Sequence, residues 1–234
     1  MNIRNKSEKD PDTYLKPTFT IESDHEKIVR AAHDLTRGCK SNDEKAVRLF
    51  YFVRDSIAYN LYMISLFVED YKASRVLEWK EGNCVQKAVL FTSLARAAGI
   101  PSRLVFAMIR NHRVPDHVYK KIGTNIFYRH GYNQFFLSGR WVSVAATFDK
   151  HTCNKNGVPV VEFDGKNDAT LPEKDLKGMP CIEYIEKFPA FDDLPFEWIY
   201  ETIADKTTAV LGPDKRPWRG KDLKRILNSL IISI

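Results

Sequence analysis

Apolar positions recur at helical spacing over much of the N-terminal half. Ala46, Leu49, Phe50, Val53 and Ile57 follow one another at steps of three, one, three and four, which places them on one helix face. Ser41 or Asn42 can cap this segment, DEKAVRLFYFVRDSIAY, and its acidic first turn complements the helix dipole. A shorter helix is predicted upstream over roughly 25–37, with Ser23 or Asp24 as cap and Gly38 as stop. After Glu81-Gly82-Asn83 the pattern changes. CVQKAVLFTSLARAA is apolar almost all round, with Gln86, Ser93 and Arg96 as a thin polar stripe, so this helix is buried on most sides. Asn83 is its cap, Gly99 its stop, and Pro101 prevents its return. RLVFAMI (103–109) then reads as a core strand, followed by a charged connection over roughly 110–124. NIFYRHGYNQFFL and RWVSVAATF flank Ser138-Gly139, a two-residue hairpin turn. Residues 150–180 read as loop-rich, and the region from about 182 as short helical patterns broken by prolines.

Composition narrows the class. The chain has 234 residues, 44% hydrophobic and 28% charged, which fits one large globular domain with extensions. We expect an extended N-terminal arm over 1–24, a core domain over 25–200, and a basic extension over 201–234 that docks on the core. The net charge of +6 is scattered except near the C-terminus, so no nucleic-acid partner is expected. The 214–221 run is read as a solvated segment. No apolar run approaches the ~20 residues of a membrane span. The tail ILNSLIISI is expected to dock on its own core. The polar start lacks an apolar leader, which points to a cytoplasmic protein with reduced thiols. The four cysteines form no C-x-x-C pair, and His112-x4-His117 and His151-x-Cys153 are the only short-range ligand pairs. Neither a metal nor a cofactor is called for.

Two residues stand out for chemistry. Cys84 opens the buried helix, where unpaired N–H groups and the dipole favour a thiolate. Its own N–H could receive an oxyanion. A nucleophilic cysteine needs a base. Of the six histidines, His25 and His33 fall on or beside the first helix, His112 and His117 in the charged connection, and His151 after the hairpin. His130 opens a hairpin strand, where a side chain can be held rigidly.

These residues sit in a spaced pattern: Gly82, Cys84, Ala95-Arg96-Ala97, Gly99-Ile100-Pro101, Arg103, His130, Gly139 and Trp141, with VRDSIAY (53–59) upstream. The pattern resembles the transglutaminase-like superfamily, over about residues 40–150, and most closely its prokaryotic branch with C-V-Q-K-A-like helices. EFDGKNDA and the stretch ending in EYIEKFPAFDDLPFEWI extend the likeness. The resemblance implies an α+β, papain-like transglutaminase-core fold, with the active-site helix packed on an antiparallel β-sheet. It implies Cys84 as nucleophile and His130 as base of a cysteine hydrolase or acyltransferase. The partner would be a protein or peptide substrate, or a small amide or ester. Peptidase or amidase action is expected rather than protein cross-linking, since no EF-hand-like acidic loop is present. A fold-retaining binding module without activity is the alternative.

The third triad member departs from the family pattern, which places an Asp where this chain has Ala145. With a two-residue turn at 138–139, Leu137 pairs with Arg140, and extrapolation pairs His130 with Thr147. Residues 145 and 149 are then its diagonal neighbours. Asp149 or the Thr147 hydroxyl could orient His130, or no residue does. For a second oxyanion donor the family supplies an upstream side chain, and Tyr59 and Trp79 are the candidates.

Overall fold

The fold is built around a helix buried along nearly its whole length. In the computed structural model, which describes residues 10–203 and Arg216, α4 (Cys84–Ala97) has every residue from Val85 to Arg96 buried. The predicted polar stripe is inside too, and each member is satisfied. Gln86 reciprocates the Asn83 cap and donates to Asp70 O, Ser93 Oγ donates to Val89 O, and Arg96 donates to the carbonyls of Ser102, Lys16 and Asp192. Buried polar groups persist only when partnered in this way.

Around α4 pack α1 (Glu26–Thr36), α2 (Asn42–Ser56) and α3 (Ala73–Trp79) on one side. A four-stranded antiparallel sheet covers the other, in the order β5 (Arg140–Val144), β4 (Ile126–Leu137), β3 (Ser102–Asn111), β6 (Ile182–Lys187). Leu104, Phe106 and Phe135 join the core that contains α4. Val105, Ala107, Ile109 and Tyr132 join a second cluster with Ala145 and Leu171. This alternation is the period-two signature of a sheet buried on both faces. A short parallel pair, β1 (Ala58–Tyr59) with β2 (Glu81–Gly82), leads into α4. The architecture is the α+β, papain-like one that the resemblance implies.

Ser41 caps α2 and the hairpin turns at Ser138-Gly139, both with positive φ, so that Leu137 pairs with Arg140. Other expectations change. His25, rather than Ser23 or Asp24, caps α1 through its Nδ1. The connection at 110–124 holds α5 (Asp116–Ile122), and the loop-rich stretch opens with α6 (Lys150–Asn156). The last region supplies β6 as well as α7 (Phe196–Ile203). Residues 10–24 contain a 3-10 turn at Pro11–Leu15, a fully buried Ile21, and a Tyr14 ring set edge-on against Trp141 at 5.2 Å. The basic extension lies outside the described residues, as do the 214–221 run apart from Arg216 and the ILNSLIISI tail. No helix among the described residues is long and apolar enough to cross a membrane.

Arg96 joins the arm, the start of β3 and the segment before α7 through three carbonyls that would otherwise lose their partner. Arg96→Ala should lower stability by about 2–4 kcal/mol in urea unfolding. It should also expose residues 10–20 to limited proteolysis. An unchanged urea midpoint would show that the arm is held by apolar contact alone.

Candidate active site

Cys84 is the first residue of α4, and three features fix its position. Asn83 Oδ1 accepts from the N–H groups of Val85 and Gln86, while Gln86 Oε1 accepts from Asn83 N, a capping box that closes the helix start. Gly82 packs under Gln86; a Cβ there would lie 3.0 Å from Gln86 Cβ. Gly131 on β4 presses against the helix from the sheet; a Cβ there would lie 3.1 Å from Val85 Cα. The N–H groups of Gly131, Val85 and Cys84 itself are directed at the sulfur.

His130 precedes Gly131. It is 3% exposed, pairs with Ala107 on β3, and stacks nearly parallel to Tyr132 at 6.0 Å with Tyr184 edge-on at 6.2 Å. Immediately before it, Met108 of β3 is opposed by both Tyr128 and Arg129, and the β3–β6 ladder slips at the same level. Bulges of this kind bend a sheet and re-aim a side chain. Cys84 and His130 line the same cavity of about 190 Å³, together with Tyr59, Asn83 and apolar residues such as Ile109 and Phe127. His130 Nε2 is buried without a hydrogen-bond partner.

Electrostatics at the site is governed by burial. Burial pushes the Cys84 thiol up despite the three N–H groups that favour its thiolate, and it pushes His130 down to about 4. The expectation that the helix start lowers the Cys84 pKa is therefore corrected: desolvation outweighs the dipole. At neutral pH the cavity therefore holds a neutral thiol and a neutral imidazole.

The extrapolated hairpin register is also corrected. The β4–β5 ladder ends at Asn133–Val144, after which Ala145 N turns to Ala169 O. His130 therefore does not pair with Thr147, and Asp149 is not its diagonal neighbour. Asp149 instead caps α6: its carboxylate accepts from Thr152 N at 2.8 Å, from Thr152 Oγ1, and from Tyr59 N at 2.7 Å. No hydrogen bond joins His130 to Thr147 or to Asp149. Ala145, at the family's acid position, belongs to the apolar cluster behind Tyr132.

Of the two proposed oxyanion side chains, Tyr59 lines the cavity, and burial pushes its phenol well up, with any charge on Cys84 acting in the same direction. Trp79 closes α3 under Arg75 and lines neither that cavity nor its larger neighbour. Tyr59 is held at both ends of its peptide unit. Its N–H goes to Asp149, and the next N–H, of Asn60, goes to Gly82 O. Just upstream, Lys87 of α4 donates to the carbonyls of Arg54 and Ile57. Sequence reasoning missed Lys87, a buried ammonium that burial brings down to about 7. Its place one turn after Cys84 was the available signal. The remaining histidines are elsewhere: His33 beside Asp34, His112 against Glu183, and His117 and His151 on the wall of the larger cavity. No group of three or more metal-ligating side chains occurs among the described residues.

Three outcomes follow from this geometry. Alkylation of Cys84 by iodoacetamide should rise with pH through an inflection above the free-thiol value of ~8.5, because only the thiolate reacts. His130→Gln should leave that inflection in place; a downward shift of the parent relative to the variant would restore the ion-pair picture. On the acid side the sign is fixed by linkage. His130 titrates near ~6.5 unfolded and about 4 folded, so the unfolded chain binds more protons between these values. The parent should lose stability as pH falls from 6.5 through 4, and His130→Gln should lose less over the same interval. Separately, Gly131→Ala must push β4 off the first turn of α4. It should cut Cys84 reactivity at least about tenfold and destabilise by about 1–3 kcal/mol, read by alkylation rate and urea unfolding.

The transglutaminase-like superfamily model matches residues 29–146, half of the chain. No curated protein matches the chain. Among solved structures, a candidate cysteine protease from Cytophaga hutchinsonii is similar at 15% identity and TM-score 0.46, over 78% of this chain and 55% of that one. The periplasmic domain of TgpA from Pseudomonas aeruginosa is similar at 19% identity and TM-score 0.42, over 58% and 47%. A candidate protease from Parabacteroides distasonis is similar at 18% identity and TM-score 0.38, over 58% and 25%. The chain thus spans about half or less of the length of these relatives. By the family model and the spaced motifs that it covers, the chain belongs to the transglutaminase-like superfamily.

Proposed function

We propose that this chain is a thiol hydrolase that cleaves amide or ester bonds through an acyl-enzyme on Cys84. The observation that carries the reading is the shared cavity: Cys84 at a capped helix start lines it together with His130, whose Nε2 has no hydrogen-bond partner. Nε2 accepts the thiol proton as Sγ attacks the carbonyl carbon. The C–S bond forms as the carbonyl π pair moves to oxygen. The N–H of Cys84 and the Tyr59 hydroxyl are the donors for that oxyanion. Collapse expels the amine or alcohol, which takes the proton back from His130. Water then attacks the thioester by the same route and frees the acid. Starting from neutral partners, the proton moves during attack, so His130 acts as general base in each attack and as general acid in each collapse. Asp149 acts on Tyr59, through its backbone N–H, and not on the imidazole.

A second reading has specific support. Ala145 leaves the family's acid position empty of charge, and no carboxylate orients His130. This favours a binding module that keeps the fold without turnover.

Small activated esters and amides separate the two. A thiol hydrolase should show an acyl adduct of Cys84 by mass spectrometry that is absent in Cys84→Ala. Tyr59→Phe should lower its turnover about 10²-fold, the cost of one oxyanion donor. Ala145→Asp should raise turnover about tenfold or more by supplying an orienting carboxylate. A folded protein that alkylates at Cys84 but never acylates would leave the binding module standing.

A further inference from the structure

A second, larger cavity of about 410 Å³ adjoins the one that holds Cys84. Tyr59, Leu61, Asn111, Phe127 and Phe148 line both, so the two chambers share a wall. The smaller chamber carries Arg129 and His130, and the larger one gathers more such groups. Cationic or protonatable groups reach it from three separate segments. Arg113 comes from the turn after β3, His117 from α5, and His151 and Lys155 from one face of α6. The α6 pair is spaced i, i+4, which places both on the same side of the helix. Among the described residues Glu81 is the lone carboxylate in the lining, and its Oε2 accepts from Asn60 Nδ2 at 3.1 Å. Asp175 stands behind Arg113 at 3.4 Å, and its other oxygen accepts from Lys177 N and Met179 N, so it anchors Arg113 without neutralising α6. No carboxylate pairs with Lys155, His151 or His117 among the described residues.

We propose that this chamber is a substrate subsite for a carboxylate-bearing peptide, whose acyl carbon sits at Cys84 and whose acidic group lies between Arg113 and α6. The inference rests on the thiol-hydrolase reading above and adds its substrate class. Aromatic walls from Tyr59, Phe127 and Phe148 would flank the peptide, and a concave wall focuses the field of the cations on it. The source of the carboxylate is an Asp or Glu side chain, or the free C-terminus of a short peptide.

The test compares chloroacetyl-X-amide and chloroacetyl-Gly-X-amide with X as Asp, Asn or Lys, and chloroacetyl-Gly-Gly as free acid or amide. The readout is the rate of Cys84 modification at low ionic strength. The Asp member at one of the two spacings should react at least about fivefold faster than its Asn isostere, and Lys more slowly than Asn. A free-acid preference without an Asp preference would assign the C-terminal carboxylate. Added salt and Lys155→Glu should each collapse the Asp-to-Asn ratio toward one. Lys155 is exposed on α6, so this variant retains the fold; Arg113→Gln should do the same if its loop holds. Equal rates for Asp, Asn and Lys at both spacings, with equal rates for acid and amide, would overturn the subsite. Failure of Cys84 to react with any probe, iodoacetamide included, would instead strike at the thiol-hydrolase reading. In that event calorimetry of acetyl-Gly-Asp-amide against acetyl-Gly-Asn-amide on Cys84→Ala still decides the subsite, with equal affinities overturning it.

Discussion

One close approach governs this molecule: the absence of a side chain at residue 131 lets strand β4 lie directly on the first turn of α4. A methyl group there would sit 3.1 Å from the backbone of Val85 and 3.4 Å from the ring of Phe106. Because Gly131 follows His130 and Val85 follows Cys84, that single contact sets the distance between the two elements that hold Cys84 and His130. The bulge opposite Met108 sets the angle, and the Asn83–Gln86 cap sets the height of the helix. Position, tilt and register of the site are thus fixed by backbone features rather than by pairing of the reactive groups with each other.

Burial so complete has an electrostatic cost that shapes the interior. Three cations are buried around α2 and α4, and each finds main-chain carbonyls. Arg54 reaches Val161 O, Lys87 reaches the end of α2, and Arg96 spans three segments. Carbonyls at helix ends are partial negative charges without an intrahelical donor, so they suit a buried ammonium or guanidinium. Arg54 also has Asp55 and Glu162 beside it, which favour its charged form. Lys87 has no carboxylate in hydrogen-bond contact, and burial brings it down to about 7. The same desolvation acts on Cys84 and His130, where it suppresses charge on both.

Much of the frame is legible in the sequence because local rules and the tertiary fold agree there. The Asn83 cap, the Gly99 stop, the Ser138-Gly139 turn and the α2 face all follow from residues a few positions apart. The placement of Cys84 and His130 is legible for the same reason, since the helix start and the strand are local features. What escapes is what depends on distant partners. Helix α6 has the sequence KHTCNKN and buries only Cys153, so neither periodicity nor propensity marks it. Its cap, Asp149, is shared with Tyr59 some ninety positions away in the chain. The fate of Asp149 was unreadable because β5 leaves β4 after Val144 to meet Ala169, and a turn rule cannot foresee where a ladder stops. Lys87 escapes because a lysine in an apolar helix reads as a solvent contact until the carbonyls that receive it are seen.

The protonated state of Cys84 has a consequence for the durability of the protein. Peroxides attack thiolates, and the climb from sulfenic to sulfonic acid begins with that charged form. A half-buried cysteine in a cavity lined by Tyr59 and Tyr71, and kept neutral by desolvation, presents little thiolate to a small oxidant at neutral pH. The desolvation that holds the thiol neutral therefore also preserves it. This fold withholds its sulfur from oxidative ageing by the same physics that withholds its charge.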